Sequence, residues 1–135
     1  MLLFVPLAAL GSFGYCLVTL ALFAVGVPAS SAAEKIFRKS DDGRIVIDEV
    51  VGQLITLLPL VVVPLDKGLS RYGLLAAGFM LFRLFDIWKP GPVRVLERRV
   101  HRGLGVMLDD VAAGVLAAIA LSLLILALRA AGVPT

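Results

Sequence analysis

Four long apolar blocks, separated by short charged connectors, limit what this chain can fold into. The first block, residues 2–27, contains no charged residue. At about 1.5 Å per residue it can cross a hydrocarbon core about 30 Å thick. The hydrophobic fraction is 60% and the mean hydropathy is +1.00, whereas soluble domains are roughly 45–50% apolar. The chain is therefore predicted to be an integral membrane protein.

The blocks predict an all-α, polytopic membrane helix bundle that forms a single domain over residues 1–135. About four transmembrane helices are expected, at residues 2–27, 45–65, 72–88 and 104–128. The first block lacks the basic start of a signal peptide, so a transmembrane helix is preferred there. Pro28 is expected to end it, because proline pushes the preceding residue out of the helical region. Residues 92–102 predict a short amphipathic helix in the membrane interface.

The basic residues predict the orientation of the bundle. With four spans, the connectors after the first and third spans lie on one side of the membrane. Those connectors carry Lys35, Arg38, Lys39, Arg44, Lys89, Arg94, Arg98, Arg99 and Arg102, against Lys67, Arg71 and Arg129 on the other side. The positive-inside rule therefore places the basic side in the cytoplasm and both termini outside. Basic residues beside apolar blocks favour anionic membrane lipids as partners over nucleic acid. The oligomeric state is left open.

Acidic residues are expected at the same membrane edge on three different helices. Asp48 and Glu49 enter the second predicted span, Asp86 leaves the third, and Asp109 and Asp110 enter the fourth. Charged groups at membrane depth are costly and are candidates for function. Oxygen ligands without histidine or cysteine favour Mg²⁺, with Mn²⁺ as the alternative. These five carboxylates are therefore the predicted metal ligands.

Arg83 and Lys89 lie on either side of Asp86 in the sequence and would supply anion-binding groups beside the metal. Carboxylates, a divalent cation and a guanidinium together suit a phosphate group, and entry from the bilayer edge favours a lipid headgroup. Simpler interpretations stay open. Acidic pairs near helix starts can complement the helix dipole, and Arg83 and Asp86 can pair with each other.

Three motifs carry a resemblance to a known family. The stretches IVIDEVVGQ, FRLFDIWKPGPV and GLGVMLDDVAAG, in this order, resemble the phosphatidylglycerophosphatase A family over about residues 45–114. The resemblance implies a multi-pass enzyme of the bacterial inner membrane that converts phosphatidylglycerophosphate to phosphatidylglycerol and phosphate and requires Mg²⁺. With the orientation predicted from the basic residues, the active site would lie at the cytoplasmic face. The motif residues are the acidic pair Asp48-Glu49, then Arg83, Asp86 and Lys89, and finally the pair Asp109-Asp110.

Catalytic roles are expected for Arg83, Asp86, Lys89, Asp109 and Asp110. Direct attack of water on the phosphate is preferred, because the DxDx signature of an aspartyl-phosphate intermediate is absent. Members of the family usually have a further segment with a Pro-Gly-Thr-like stretch ahead of the first apolar run. This chain starts directly with MLLFVPLAALGSFGY, so an inactive or truncated member is one alternative.

Two further alternatives are a different lipid-phosphate enzyme and a small cation carrier or channel. The phosphatidyltransferase pattern DG-x2-AR and the PSGH motif of histidine-dependent lipid phosphatases are both absent from the sequence, which disfavours the first. A transport path would need carboxylates near the bilayer midplane. The halves of the predicted spans that lie away from the acidic residues are apolar, which disfavours a carrier or channel.

Overall fold

The computed structural model describes residues 3–37, 46–63, 69–88 and 103–133. Over these ranges the secondary structure is helical and contains no strand. The helices are α1 (Phe4–Ala8), α2 (Gly11–Phe37), α3 (Ile47–Leu57), α4 (Pro59–Val62), α5 (Leu69–Trp88) and α6 (Gly103–Ala130). The predicted all-α class is confirmed. The amphipathic helix predicted at residues 92–102 lies outside the described residues.

Two segments are long and apolar enough to cross a membrane, Gly11–Ala29 in α2 and Met107–Ala130 in α6. Only 11% of the first and 28% of the second is buried inside the molecule, unlike the enclosed core helix of a soluble protein. The exposed side chains include Leu17, Leu20, Val25, Ile119, Leu123 and Leu126. Apolar faces of this extent suit contact with lipid. Within the described ranges the membrane character of the first and fourth blocks is supported, and four crossings stay a prediction.

The first apolar block differs from its prediction at both ends. It forms two helices instead of one, because Gly11, the first residue of α2, adopts a φ of 73°, a conformation that glycine tolerates readily. At the other end α2 continues through Pro28 to Phe37. The prediction that the helix ends at Val27 is therefore wrong. Proline removes one main-chain donor, and helices in membranes tolerate that loss where neighbouring groups compensate.

The second apolar block is divided at Leu58. There α3 ends, and α4 begins at Pro59, whose ring fits the first turn of a helix but disrupts a continuous one. By contrast, α5 runs without a break and carries Arg83 and Asp86 in its last turns. The regular helix in the second block is thus shorter than the span predicted at residues 45–65.

Contacts along α2 fix the relative directions of the helices. The Tyr15 hydroxyl, near the start of α2, donates a 2.7 Å hydrogen bond to the Leu54 carbonyl near the end of α3. Further along α2, Gly26 lies against Ile47 at the start of α3 and Met107 near the start of α6. Both α3 and α6 therefore run antiparallel to α2, and their first turns lie at the same end of the bundle.

A crossing of two glycines holds α3 against α6. A Cβ added to Gly114 would lie 2.5 Å from the Gly52 carbonyl oxygen, and one on Gly52 would lie 2.6 Å from the Asp110 carbonyl oxygen. The Thr56 hydroxyl donates to the Gly52 carbonyl at 3.0 Å and lies 3.3 Å from that of Gly114. Small residues allow such close approach between membrane helices. Gly52 and Gly114 therefore allow the close packing of α3 against α6.

Candidate functional site

The first turns of α3 and α6 and the last turns of α5 meet at one end of the bundle, which we call the charged end. Asp48 and Glu49 lie in the first turn of α3. Arg83 and Asp86 come from the end of α5, and Asp110 comes from the early part of α6. These five residues define the charged end. Their convergence follows from the opposite direction of α5 and from the close crossing of α3 and α6.

Arg83 joins two of these helices. Its Nη1 atom lies 3.1 Å from Glu49 Oε1 on α3 and 3.2 Å from Asp86 Oδ2 on its own helix. The pairing with Asp86 that the sequence left open is therefore present, and the bond to Glu49 adds a contact between helices. The side chains of Arg83 and Glu49 are 40% and 44% exposed. Ion pairs this exposed contribute about 1 kcal/mol or less to stability, and the guanidinium stays accessible to an anion.

Asp110 faces the other carboxyl groups of the charged end. It lies within hydrogen-bonding range of Asp86, and it is close enough to Asp48 and Glu49 to interact with them electrostatically. Asp110 is only 7% exposed and Asp48 only 5%. Carboxylates placed close together repel one another, and a cation between them would relieve that repulsion. The geometry is therefore suited to binding a cation.

Two of the predicted acidic residues, Asp48 and Asp109, have a further contact or a different direction. Asp48 Oδ1 accepts a 2.9 Å hydrogen bond from the backbone N–H of Glu49, so one of its oxygens supports the start of α3, in keeping with the simpler interpretation. Asp109 is 7% exposed and precedes Asp110 on α6. Successive helical residues point about 100° apart, so Asp109 is directed to a different side of the helix from Asp110.

The carboxylate oxygens of the charged end can be compared with the ligands that Mg²⁺ usually binds. Within the described ranges, no three histidine, cysteine, aspartate or glutamate side chains form a group that could hold a metal ion. However, Mg²⁺ usually keeps several waters and binds one or two carboxylates together with substrate phosphate. The pair formed by Asp86 and Asp110 supplies two carboxylates at close range. Its oxygen-only chemistry fits this mode of binding.

A cavity of about 240 Å³ lies beside Arg83, between α3 and α5. Its polar lining comes from Glu49, Arg83 and Gln53, and its apolar lining includes Phe79 and Phe82. Gln53 is not among the site residues predicted from the sequence. A polar residue four positions after Glu49 shares its helix face, and that spacing is the signal that could have identified it.

Lys89, the remaining predicted site residue, lies outside the described residues. Its proposed contact with phosphate therefore stays a prediction. The described part of the charged end thus contains one arginine and four carboxylates from three helices, with a fifth carboxylate, Asp109, next to them on α6.

Comparison with known proteins identifies the family of the chain. The family model described as Phosphatidylglycerophosphatase A matches residues 1–125. The chain belongs to the phosphatidylglycerophosphatase A family. No solved structure matches the chain.

Three curated relatives show the extent of the similarity. The chain is 39% identical to phosphatidylglycerophosphatase A of Escherichia coli over 104 residues, which is 77% of this chain and 56% of that protein. It is 44% identical to the Haemophilus influenzae protein of the same name over 79 residues, 58% of this chain and 44% of the relative. A Bacteroides thetaiotaomicron protein described as "Putative phosphatidylinositol-3-phosphatase" is 42% identical over 110 residues, 82% of this chain and 64% of the relative.

The chain spans about half the length of the two phosphatidylglycerophosphatase A relatives. The family match nevertheless includes every residue of the charged end. The resemblance inferred from the three motifs is therefore confirmed at the level of the family.

Proposed function

We propose that this chain hydrolyses the terminal phosphate of phosphatidylglycerophosphate, giving phosphatidylglycerol and inorganic phosphate. The observation that carries the proposal is the meeting of carboxylates from α3, α5 and α6, two of which, Glu49 and Asp86, pair with Arg83. Membership of the phosphatidylglycerophosphatase A family supplies the reaction. Carboxylates that bind a cation, next to an exposed guanidinium, are suited to a phosphate monoester.

The proposed location is the bacterial inner membrane, with the charged end at the cytoplasmic face. The apolar surfaces of α2 and α6 support a membrane location. The distribution of basic residues in the sequence supports the cytoplasmic orientation. In this arrangement the second and third predicted spans also cross the membrane, and anionic lipids contact the basic connectors.

Arg83 is proposed to bind the phosphoryl oxygens. Its planar guanidinium has several donors, and two carboxylates, Glu49 and Asp86, already orient it. A donor that is oriented before the substrate arrives needs little rearrangement when charge develops in the transition state. Lys89 is proposed to add a second positive charge to the same phosphate.

Mg²⁺ or Mn²⁺ is the proposed cofactor, and when bound it would polarise the phosphate and favour ionisation of the attacking water. Asp86 and Asp110 are the proposed principal ligands, because their carboxyl groups face each other. Asp48, Glu49 and Asp109 are the further oxygen donors proposed for the same site. Direct attack by water stays the preferred route.

A phosphoinositide is the second candidate substrate. The Bacteroides thetaiotaomicron relative named for phosphatidylinositol-3-phosphatase activity is similar over 82% of this chain. Both candidate reactions release inorganic phosphate from a lipid headgroup. The charged end could act on the phosphate of either lipid. The two substrates differ in the part of the headgroup that carries the phosphate.

The test is phosphate release from detergent micelles that contain phosphatidylglycerophosphate or phosphatidylinositol 3-phosphate. Each lipid is assayed with Mg²⁺, with EDTA, and with EDTA followed by excess Mg²⁺ or Mn²⁺. The proposal expects faster release from phosphatidylglycerophosphate, its loss in EDTA and its recovery with metal. Faster release from phosphatidylinositol 3-phosphate would select the second candidate. Release that persists unchanged in EDTA would refute the metal site, and no release from either lipid would refute the phosphatase function.

A further inference from the structure

Gln53 is a buried amide whose side chain no described residue satisfies. The residue is only 9% exposed. Within the described ranges neither Oε1 nor Nε2 of Gln53 has a hydrogen-bond partner. Most buried polar atoms in folded proteins are hydrogen-bonded, and leaving them unpaired is costly. Gln53 therefore has unused capacity for one acceptor and two donor contacts.

The surroundings of Gln53 indicate what could use that capacity. The residue lines the cavity between α3 and α5, and Arg83 and Glu49 line the same cavity. Gln53 follows Glu49 by four positions, so it lies about one helical turn, roughly 5.4 Å, further into the bundle. Phe79 and Phe82 line the wall beside it. Hydrogen bonds are stronger in such an apolar setting than in water.

A hydroxyl group is the ligand chemistry that best fits both amide atoms. A hydroxyl can donate to Oε1 and accept from Nε2, whereas an ionised phosphate only accepts and an ammonium only donates. The phosphate binds at Arg83 in the proposed function. A hydroxyl on the same small molecule, one turn deeper in the cavity, would meet Gln53.

We propose that Gln53 binds a hydroxyl of the polyol that carries the phosphate, and so selects the headgroup. The inference rests on the proposed function, whose substrate is a phosphate monoester of a short polyol, and deepens it by naming a residue that recognises that polyol. Glycerol phosphate has this chemistry, both as a lipid headgroup and as a free molecule. Sites that hydrogen-bond a substrate hydroxyl discriminate strongly against the analogue that lacks it.

The experiment pairs Gln53→Met with removal of the substrate hydroxyl. Methionine has similar length but no amide, and the matched substrate carries propane-1,3-diol phosphate in place of the glycerol phosphate headgroup. Wild-type protein should prefer the hydroxylated lipid at least tenfold in kcat/KM. Gln53→Met should lose at least tenfold on that lipid and less than twofold on the deoxy lipid. Equal losses on both lipids, or no loss on either, would overturn the proposal.

Free glycerol 3-phosphate and free propane-1,3-diol phosphate distinguish the two sources of the polyol. A hydroxyl preference seen only with the lipids supports the inference for a membrane headgroup. A preference seen with the free compounds as well supports it for the polyol phosphate itself. Gln53→Asn, which retains a shorter amide, should recover part of the hydroxyl preference that Gln53→Met loses.

Ligand binding separates this inference from the proposed function. Thermal melting of the detergent-solubilised chain is measured in EDTA with each lipid, because bound ligand raises the melting temperature. The hydroxylated lipid should raise it more than the deoxy lipid in wild type and equally in Gln53→Met. That pattern without any phosphate release would refute the phosphatase function and uphold the role of Gln53. Equal protection by both lipids in wild type would refute the role of Gln53 even in an active phosphatase.

Discussion

The charged end and the opposite end of the bundle are built from the same helices but differ in what holds them. The opposite end, which we call the apolar end, is a core of aliphatic side chains that are at most 4% exposed: Leu57, Leu60, Leu74, Leu121 and Ile125. At the charged end, the buried Asp48 and Asp110 lie close to other carboxylates, and a partly exposed arginine joins Glu49 to Asp86. Repulsion there works against packing. Stability is therefore expected from the apolar end and reactivity from the charged end.

The crossing of Gly52 and Gly114 lies between the two ends and connects them. It sets the distance between α3 and α6, and so it sets how closely Asp110 approaches Asp48. Substitutions at the charged end should change activity with little loss of stability. Those at the apolar end should do the reverse, and those at the crossing should change both.

Asp110→Asn should have the largest effect. It keeps the shape of the side chain but removes a charge that the site is proposed to use, so kcat should fall by about 10²–10³-fold, the scale of losing a preorganised electrostatic group. The melting temperature should be unchanged or higher, because repulsion with Asp86 and Asp48 is relieved. Phosphate release and thermal melting check both values. Ser122→Ala, on the same helix at a distance from the site, is the control, and a loss of less than threefold for Asp110→Asn would contradict the role of this residue.

Gly114→Ala should lower activity by about 10²-fold, because a displacement of about 1 Å is sufficient for such a loss. The added Cβ would lie 2.5 Å from the Gly52 carbonyl oxygen, so α3 and α6 must separate. Gly73→Ala is the matched control, since a Cβ there meets nothing within 4 Å. It should keep full activity and gain up to about 1 kcal/mol from helix propensity. Equal kinetics for the two alanine variants would show that the crossing does not position the site.

Leu121→Ala should destabilise the fold without changing the chemistry. Leu121 is fully buried at the apolar end, and removing a packed side chain of this size costs about 2 kcal/mol or more. Unfolding in detergent measures the loss, and phosphate release per folded molecule should stay within twofold of wild type. Leu123→Ala, on an exposed position of the same helix, should have little effect on either. A large fall in the activity of folded Leu121→Ala would mean that the two ends are not separable.

Tyr15→Phe should have the smallest effect. It removes the 2.7 Å hydrogen bond from the Tyr15 hydroxyl to the Leu54 carbonyl, and such bonds contribute about 1 kcal/mol. The edge-on packing of its ring against Phe4 is retained. A small decrease in melting temperature with unchanged kcat is expected. An activity loss greater than threefold would place Tyr15 in the catalytic machinery and contradict a purely structural role for its hydroxyl.

The sequence predicted the charged end better than it predicted the helices that carry it. The positions of acidic residues at the ends of apolar blocks can be read from the sequence. Because each block is expected to cross the membrane, these positions predict how deep in the membrane the residues lie. The bundle then brings Asp48, Asp86 and Asp110 together as expected. The end of the first helix was mispredicted at Pro28, because local propensity does not reveal which neighbouring groups compensate a missing donor.

The sequence could not predict which residues of different helices contact one another. Hydropathy shows how deep a residue lies, but it does not show which helix faces it. The bond from Arg83 to Glu49 joins helices more than thirty positions apart in the chain, and the sequence offered only the local partner Asp86. The spacing of four residues from Glu49 placed Gln53 on the same helix face, but only the structure shows the cavity between α3 and α5 that Gln53 lines.

The central claim is that Asp86 on α5 and Asp110 on α6 act as one unit in phosphate hydrolysis. The most direct test is kcat/KM for phosphatidylglycerophosphate in Asp86→Asn, in Asp110→Asn and in the double variant. Residues that act as a unit are strongly non-additive, so the double variant should lose no more than about threefold beyond the more severe single variant. Losses that multiply would mean that the two carboxylates act independently, and the shared site would be contradicted.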